Sequence, residues 1–273
     1  MTKIEWRTEA PLSAEGPNGL VEPSRIVEWM QEAAAHASKV SGYPPERYKA
    51  MGAAWFIREV LLVVDGPIVY GEKIGVTTWV SDVRRFRTHR EYRVLGDDAV
   101  VARGQVDWTL LERDPVTMKV RPLRFDEGMK EAFPIITDKM IEDGEIAEFG
   151  DAPDRPPDLA TDVRKVRPTE IDHNGHVNHV RYVEWLEDHA RLALGDALEL
   201  SALRLEFVSD ARRGEEVTIR GWQDGNVIRQ RIDRGDRILA RAVMLRSSRV
   251  IGEASPPARG GRGPEPVRKP YEG

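Results

Sequence analysis

Residues 174–185 read Asn174-Gly-His-Val-Asn-His-Val-Arg-Tyr-Val-Glu-Trp185, and residues 18–29 read Asn18-Gly-Leu-Val-Glu-Pro-Ser-Arg-Ile-Val-Glu-Trp29. Asn, Gly, Val, Arg, Val, Glu and Trp recur at one fixed offset, 174 − 18 = 185 − 29 = 156, with no gap. One structural unit therefore occurs twice. The polar groups are kept unevenly: Asp172 faces Gly16 across the repeat, and His176 faces Leu20. Only the second copy holds an acid and an imidazole together, so one functional site is expected in a duplicated frame.

Each copy opens a helix. In the first, Pro23 suits the first helical turn, where a missing N–H costs nothing. Ile26, Val27, Met30, Ala33, Ala34 and Ala37 then fall on one face, and Ser41-Gly42 stops the helix. In the second, Asn178 is a good N-cap. Val180, Val183, Leu186, Ala190 and Leu194 form the apolar stripe, and Gly195 ends it. Strands follow each helix by their β-branched content. They are expected over 55–64, 74–80, 84–94 and 100–112, with a turn at Gly96-Asp97-Asp98, and over 203–208, 216–222, 226–233 and 238–247, with a turn at Arg234-Gly235-Asp236. Gly71-Glu72 and Trp79 recur as Gly214-Glu215 and Trp222 at a second offset, 222 − 79 = 143, so the repeat extends into the strands.

A helix followed by an antiparallel meander, twice over, predicts an α+β fold. Each long helix lies across a curled antiparallel sheet, and the two tandem units pair as a pseudo-dimer within one chain. The expected division is an N-terminal unit over 1–134, a linker over 135–160 with a short helix (125–133) before it, a C-terminal unit carrying the site over 161–251, and a disordered tail over 252–273 rich in Gly, Pro and Arg.

Composition narrows the function. The 273 residues include no cysteine, which excludes disulfides, thiolate metal sites and a cysteine nucleophile. A net charge of −5 argues against general nucleic-acid binding. No apolar run approaches the ~20 residues of a membrane span, and the N-terminus lacks a signal peptide's apolar stretch. A reducing cytoplasm is the expected location.

Four of the six histidines (His173, His176, His179, His189) fall in one short window with Asp172, Asn174 and Asn178. Gly175 permits a tight turn whose backbone N–H groups can face a ligand. The helix starting near His179 adds partial positive charge. A carboxylate, an imidazole, an amide and N–H donors suit attack on a carbonyl.

Asp172-x-Asn174-x-His176-Val177-Asn178, followed by Tyr182 and Trp185, resembles the active-site segment of the acyl-ACP thioesterases, which are double hotdog-fold enzymes. Residues 78–81 (Thr-Trp-Val-Ser) and 84–93 (Arg-Arg-Phe-Arg-Thr-His-Arg-Glu-Tyr-Arg) are similar to that family's early strand pair, and Leu205-Glu206-Phe207 before an acidic residue also fits. The resemblance covers roughly residues 5–250 and implies a double hotdog that hydrolyses fatty acyl thioesters of acyl carrier protein or CoA, without a cofactor. It implies catalytic roles for Asp172, Asn174 and His176, with Asp210 standing where the family usually has glutamate. The next family position is often cysteine and is Ala211 here, so a cysteine–histidine mechanism is unavailable. Gly175 replaces the glutamine common in the plant enzymes and is similar to the hydroxybenzoyl-CoA thioesterase group of single hotdogs. The expected partners are an acyl carrier protein or a CoA-linked acyl substrate, with no nucleic acid, no membrane, and a homodimer as an option.

Other readings stand beside these. Asp172, Asn174 and His176 could form only a capped turn. An aryl- or acyl-CoA thioesterase, or a hotdog protein that binds acyl thioesters without turnover, would carry the same motif. His173, His176 and His179 with Asp172 could bind a metal, although a turn and a helix start aim their rings apart. His179 and His189 read as plain helix residues. Asp210 sits among Ser209, Arg212 and Arg213, where a surface turn is an equal reading. Alternation over 84–93 puts Arg85, Arg87, His89 and Glu91 on one face and Arg84, Phe86, Thr88, Arg90 and Tyr92 on the other, as either a basic patch for an acidic carrier or a solvated sheet face. Trp29, Trp55, Trp79, Trp185 and Trp222 read as core, and residues 51–56 as a wall of an acyl tunnel.

Overall fold

The computed structural model describes residues 3–114, 117, 119–146 and 157–247. The tail over 252–273 lies outside the described residues, as does part of the segment between the units. The chain runs β1 (Ile4–Glu9), α1 (Pro23–Val40), α2 (Pro45–Ala50), β2 (Ala53–Val64), β3 (Lys73–Arg84), β4 (Arg87–Gly96), β5 (Ala99–Arg113), β6 (Val120–Pro122) and α3 (Glu127–Ala132), then β7 (Leu159–Lys165), α4 (His179–Leu194), β8 (Leu200–Phe207), β9 (Glu216–Asp224), β10 (Val227–Arg234) and β11 (Arg237–Arg246).

All strands join one antiparallel sheet in the order β1-β3-β4-β5-β2-β8-β11-β10-β9-β7, with β6 added beside β5. The order reads the same from either end once β1, β3, β4, β5 and β2 are matched to β7, β9, β10, β11 and β8. The seam between the halves is the β2–β8 pair, with Val60 opposite Leu205 and Leu62 opposite Leu203, and a salt bridge from Arg204 Nε to Glu59 Oε1 at 2.8 Å. This is the expected double hotdog, fused edge to edge into a continuous sheet.

The two long helices lie side by side across the sheet. On α1 the stripe Ile26, Val27, Met30, Ala33, Ala34 and Ala37 is buried, and on α4 so are Val180, Val183, Leu186 and Ala190. Gly104 lets α1 press onto β5: a Cβ there would lie 2.5 Å from Met30 Cε. Polar groups stitch the helices together. Glu187 Oε1 on α4 accepts from Ser24 N in the first turn of α1 at 2.8 Å, and Arg191 donates to Glu22 at 2.6 Å.

Several elements differ from the sequence reading. The run 84–94 is not one strand: Arg85 adopts φ 56° and makes the turn between β3 and β4, so face alternation begins at Arg87. β1 and β7 carry little strand signal because each is an edge strand with few β-branched residues and many exposed positions. α2 is too short for a periodic signal. Residues 138–146 pack against the outer sheet face. Glu91, fully buried there, accepts from Met140 N at 3.0 Å, Ser81 Oγ at 2.6 Å and Gln105 Nε2 at 2.8 Å. Arg103 clasps both Asp65 and Glu145.

Candidate active site

The loop between β7 and α4 closes in a tight turn over residues 172–176. Asp172 N donates to His176 O at 2.8 Å, Gly175 N to Asp172 O at 3.1 Å, and Asn178 N to Glu170 O at 2.9 Å. Gly175 takes φ 82°, a conformation that other residues rarely adopt. The first copy repeats the turn bond for bond at the offset of 156. Gly16 N donates to Leu20 O, Gly19 N to Gly16 O and Glu22 N to Ala14 O, and Gly19 has φ 74°. The backbone was thus duplicated whole, and the side chains alone distinguish the copies.

In the second copy the Asp172 carboxylate closes the turn. Its Oδ1 accepts from Asn174 N at 2.8 Å and His176 N at 3.3 Å, while Oδ2 faces Asn174 Nδ2 at 3.4 Å. The N–H groups of residues 174–176 therefore point into the turn. They do not face a ligand, contrary to the sequence expectation, because an aspartate at the first position of such a turn captures them. The Asn174 side-chain amide is the donor left at this position.

Two further contacts fix the turn and are absent from the first copy. Glu170 Oε1 accepts from Trp185 Nε1 at 3.1 Å, and Oε2 accepts from Arg167 N at 2.6 Å. Burial opposes charge on Glu170, yet these donors hold its carboxyl below the usual range. Tyr182 Oη accepts from Ala211 N at 3.0 Å, tying α4 to the β8–β9 loop. The repeat positions of Glu170 and Tyr182 are Ala14 and Ile26. The comparison that singled out Asp172 and His176 would have found Glu170 as well. Asn178 Oδ1 accepts from Val180 N at 2.9 Å, the expected N-cap.

Asp210 arrives on the loop anchored by Tyr182. Its Oδ2 lies 3.6 Å from His176 Nε2 and 3.1 Å from Arg212 Nε. Desolvation works against its charge, but the Arg212 guanidinium, a backbone N–H and the His176 ring outweigh it and hold the carboxyl below the ordinary value. Asp172, Asn174, His176 and Asp210 all border one cavity of about 1300 Å³. His173 borders it too, exposed at the rim. His179 is more than a plain helix residue. Its ring, reachable from the cavity, stacks edge-on to Trp108 and Phe207, and desolvation pushes its pKa down to about 4 despite the Asp172 charge. His189 is buried elsewhere, between Ala160 O and Gln230 Nε2, each at 2.8 Å. Among the described residues, no three His, Asp or Glu side chains converge as a metal-holding set.

Behind the polar mouth the cavity runs into the N-terminal unit. Phe56 meets His176 with ring centres 6.3 Å apart. Trp55 contacts Trp108, Phe125 and Tyr48, and so both packs against the small core cluster around Tyr48 and Met129 and lines the cavity. Gly52, residues 53–57 of β2, the second half of α1, and α2 and α3 supply the rest of its lining. The equivalent place in the first copy is bordered by Asn18, Leu20, Pro67 and Ile68 and measures only about 20 Å³. Leu20 stands for His176 there, and, at the offset of 143, Pro67 stands for Asp210.

The chain matches the family descriptions Acyl-ACP thioesterase N-terminal domain over residues 9–122 and Acyl-ACP thioesterase C-terminal domain over 158–243. A curated relative, the chloroplastic palmitoyl-acyl carrier protein thioesterase of Gossypium hirsutum, is 25% identical over 202 residues, covering 69% of this chain and 47% of that protein. The protein of the same name from Arabidopsis thaliana is 21% identical over 198 residues, with the same coverage of 69% and 47%. The chain thus spans about half the length of the curated relatives it matches. Among solved structures, an acyl-ACP thioesterase from Bacteroides thetaiotaomicron superposes with a TM-score of 0.76 at 19% identity, covering 89% of this chain and 97% of that one. The 12:0-ACP thioesterase from Umbellularia californica gives 0.77 at 17% identity, with 90% and 98% covered. At such identities these structures speak for the fold alone. The two domain matches, in order along the chain and over most of its length, settle membership: this chain belongs to the acyl-ACP thioesterase family.

Proposed function

We propose that the protein hydrolyses fatty acyl thioesters carried on acyl carrier protein to the free acid and the carrier thiol. The observation that carries this reading is the placement of a carboxylate, an amide and an imidazole–carboxylate pair at the mouth of one large, aromatic-walled cavity. An acyl chain entering the cavity puts its thioester carbonyl at that mouth.

Asp172, pinned by two backbone N–H groups, attacks the carbonyl or orients the water that does. Asn174 donates its side-chain amide to the developing oxyanion. His176, oriented by Asp210, takes a proton from the attacking water and gives it to the thiolate as the C–S bond breaks. Where Asp172 attacks first, the departing thiolate leaves an acyl–Asp172 anhydride, and water deprotonated by His176 then hydrolyses it to the free acid and the Asp172 carboxylate. A thiolate is a good leaving group, so an acid near neutral pKa suffices. Arg212 beside Asp210 keeps that carboxylate charged and ready to stabilise the imidazolium.

The test is thiol release from a panel of acyl-carrier and acyl-CoA substrates, with wild type and Asp172→Asn run together. Turnover of acyl carrier substrates by wild type, lost in the variant, supports the proposal. Preference for aryl- or acyl-CoA moves the activity to another carrier. Tight acyl binding with no thiol release from any substrate makes the protein a binding module.

A further inference from the structure

Arg90 is the most unusual residue of the cavity. It lies on β4 and is 7% exposed, and no carboxylate of the described residues lies within salt-bridge distance. Its nearest polar contact is long: Nη1 reaches Thr78 Oγ1 at 3.4 Å. Its guanidinium stands 5.8 Å from the centre of the Phe133 ring. Two other arginines of this segment have a carboxylate beside them. Arg84 pairs with Asp82 and Arg87 with Asp107. A buried cation without a counter-charge is costly to the fold, so its retention calls for a partner. Burial accordingly depresses its basicity, with only the Tyr92 and Tyr48 hydroxyls opposing.

Its position gives it a purpose. On β4 the cavity is bordered by Thr88 and Arg90, and on β3 by Val83 and Val80, the residue paired with Arg90. Residues farther along both strands, such as Tyr92 and Val76, belong to the closed core beneath α1. Arg90 is therefore the floor. β5 separates β4 from β2, so the floor lies two strands, roughly 10 Å, across the sheet from the β2 wall at Phe56. The Tyr48 hydroxyl nearby is also buried without a hydrogen-bond partner. Around it Phe125, Met129, Phe133 and Val83 give the lining a largely apolar character, with Thr88 and Lys130 among them. This is a hydrophobic sleeve with a cationic end.

We propose that Arg90 reads the far end of the acyl chain and selects chains whose distal terminus carries an oxygen acceptor, a carboxylate ahead of a hydroxyl or keto group. The inference rests on the thioesterase reading for its turnover test, but not for its binding test. An apolar chain end would leave the cation without a counter-charge, whereas a carboxylate satisfies it with charge-assisted bonds.

Two measurements decide it. The first compares kcat/KM on thioesters matched in length and differing only in the terminal group, methyl, hydroxyl or carboxylate. Wild type should favour the carboxylate over the methyl end by at least about tenfold. Arg90→Met should collapse or invert that ratio. The second measures, by calorimetry, binding of the free monocarboxylic and dicarboxylic acids to the full chain, wild type first. Tighter binding of the dicarboxylic acid by wild type supports the proposal even where no substrate turns over, an outcome that would sink the thioesterase reading alone. Preference for methyl ends in both measurements overturns the role of Arg90 and leaves hydrolysis standing. If Arg90→Met does not fold, Arg90→Lys must keep part of the carboxylate preference, and the wild-type binding comparison decides without any variant.

Discussion

Glu187 offers a sharp physical test of the helix pair on which the site rests. It sits in α4, 4% exposed, and its Oε1 accepts from Ser24 N at the start of α1. Burial pushes its pKa from 4.5 up to about 8, with the neighbouring Glu22 charge adding to the rise and the Ser24 bonds and Arg191 opposing it. The folded protein therefore holds this proton where the unfolded chain releases it. Its share of stability is full below about pH 4.5 and falls as pH rises toward 8, opposite to the usual carboxylate. At about 1.4 kcal/mol per pH unit, the loss between pH 5 and pH 8.5 comes to about 4 kcal/mol. Gln keeps the acceptor for Ser24 N and has no proton to lose. Glu187→Gln should thus gain on wild type by about 4 kcal/mol across that interval, or roughly 10 °C in the midpoint difference. Thermal or urea unfolding at four pH values, both proteins in parallel, measures it. Stability curves for the two proteins that stay parallel in pH would refute the assignment of a neutral Glu187 in the fold.

Other predictions concern the site. Asp172→Asn should lower kcat by at least about a thousandfold while product-acid binding persists, and near-normal turnover would remove Asp172 from the chemistry. Asp210→Ala should cost less, about tenfold, because in the proposed mechanism it acts only through His176, 3.6 Å away. An unchanged rate would leave Asp210 as a surface residue paired with Arg212. Asn178→Ala should cost about 1 kcal/mol in unfolding free energy through loss of the α4 cap, with a rate loss from the loosened turn. Equal stability would mean that the cap is replaced. Leu186→Ala, at a fully buried position of α4, should cost about 2–5 kcal/mol, read by denaturant midpoint.

Much of the molecule was legible because its signals are local. The repeat at 156, the Pro23 and Asn178 helix starts and the apolar stripes depend on neighbours a few positions apart, and each folds as its spacing dictates. The uneven retention of Asp172 and His176 against Gly16 and Leu20 points to the loop that borders the large cavity. The sequence could not assign the arginines of 84–93, because one residue in the left-handed region, Arg85, shifts the alternation. Nor does a short segment such as α2 carry enough periods to declare itself.

Only the tertiary structure decided what surrounds that loop. Asp210 reaches His176 through the long β8–β9 connection, held by the Tyr182–Ala211 bond between elements far apart in sequence. The cavity behind them is built by the other unit, from β2, α2 and α3, once β2 and β8 pair at the centre of the sheet. That same pairing brings two identical turns to opposite ends of the seam. Leu20 and Pro67 fill one, and the other stays open to about 1300 Å³. Local sequence fixes which way a chain segment turns. Which pocket remains open, and that a cation is buried at its floor, follow from long-range packing, where each side chain's surroundings come from strands that the sequence pattern alone does not place.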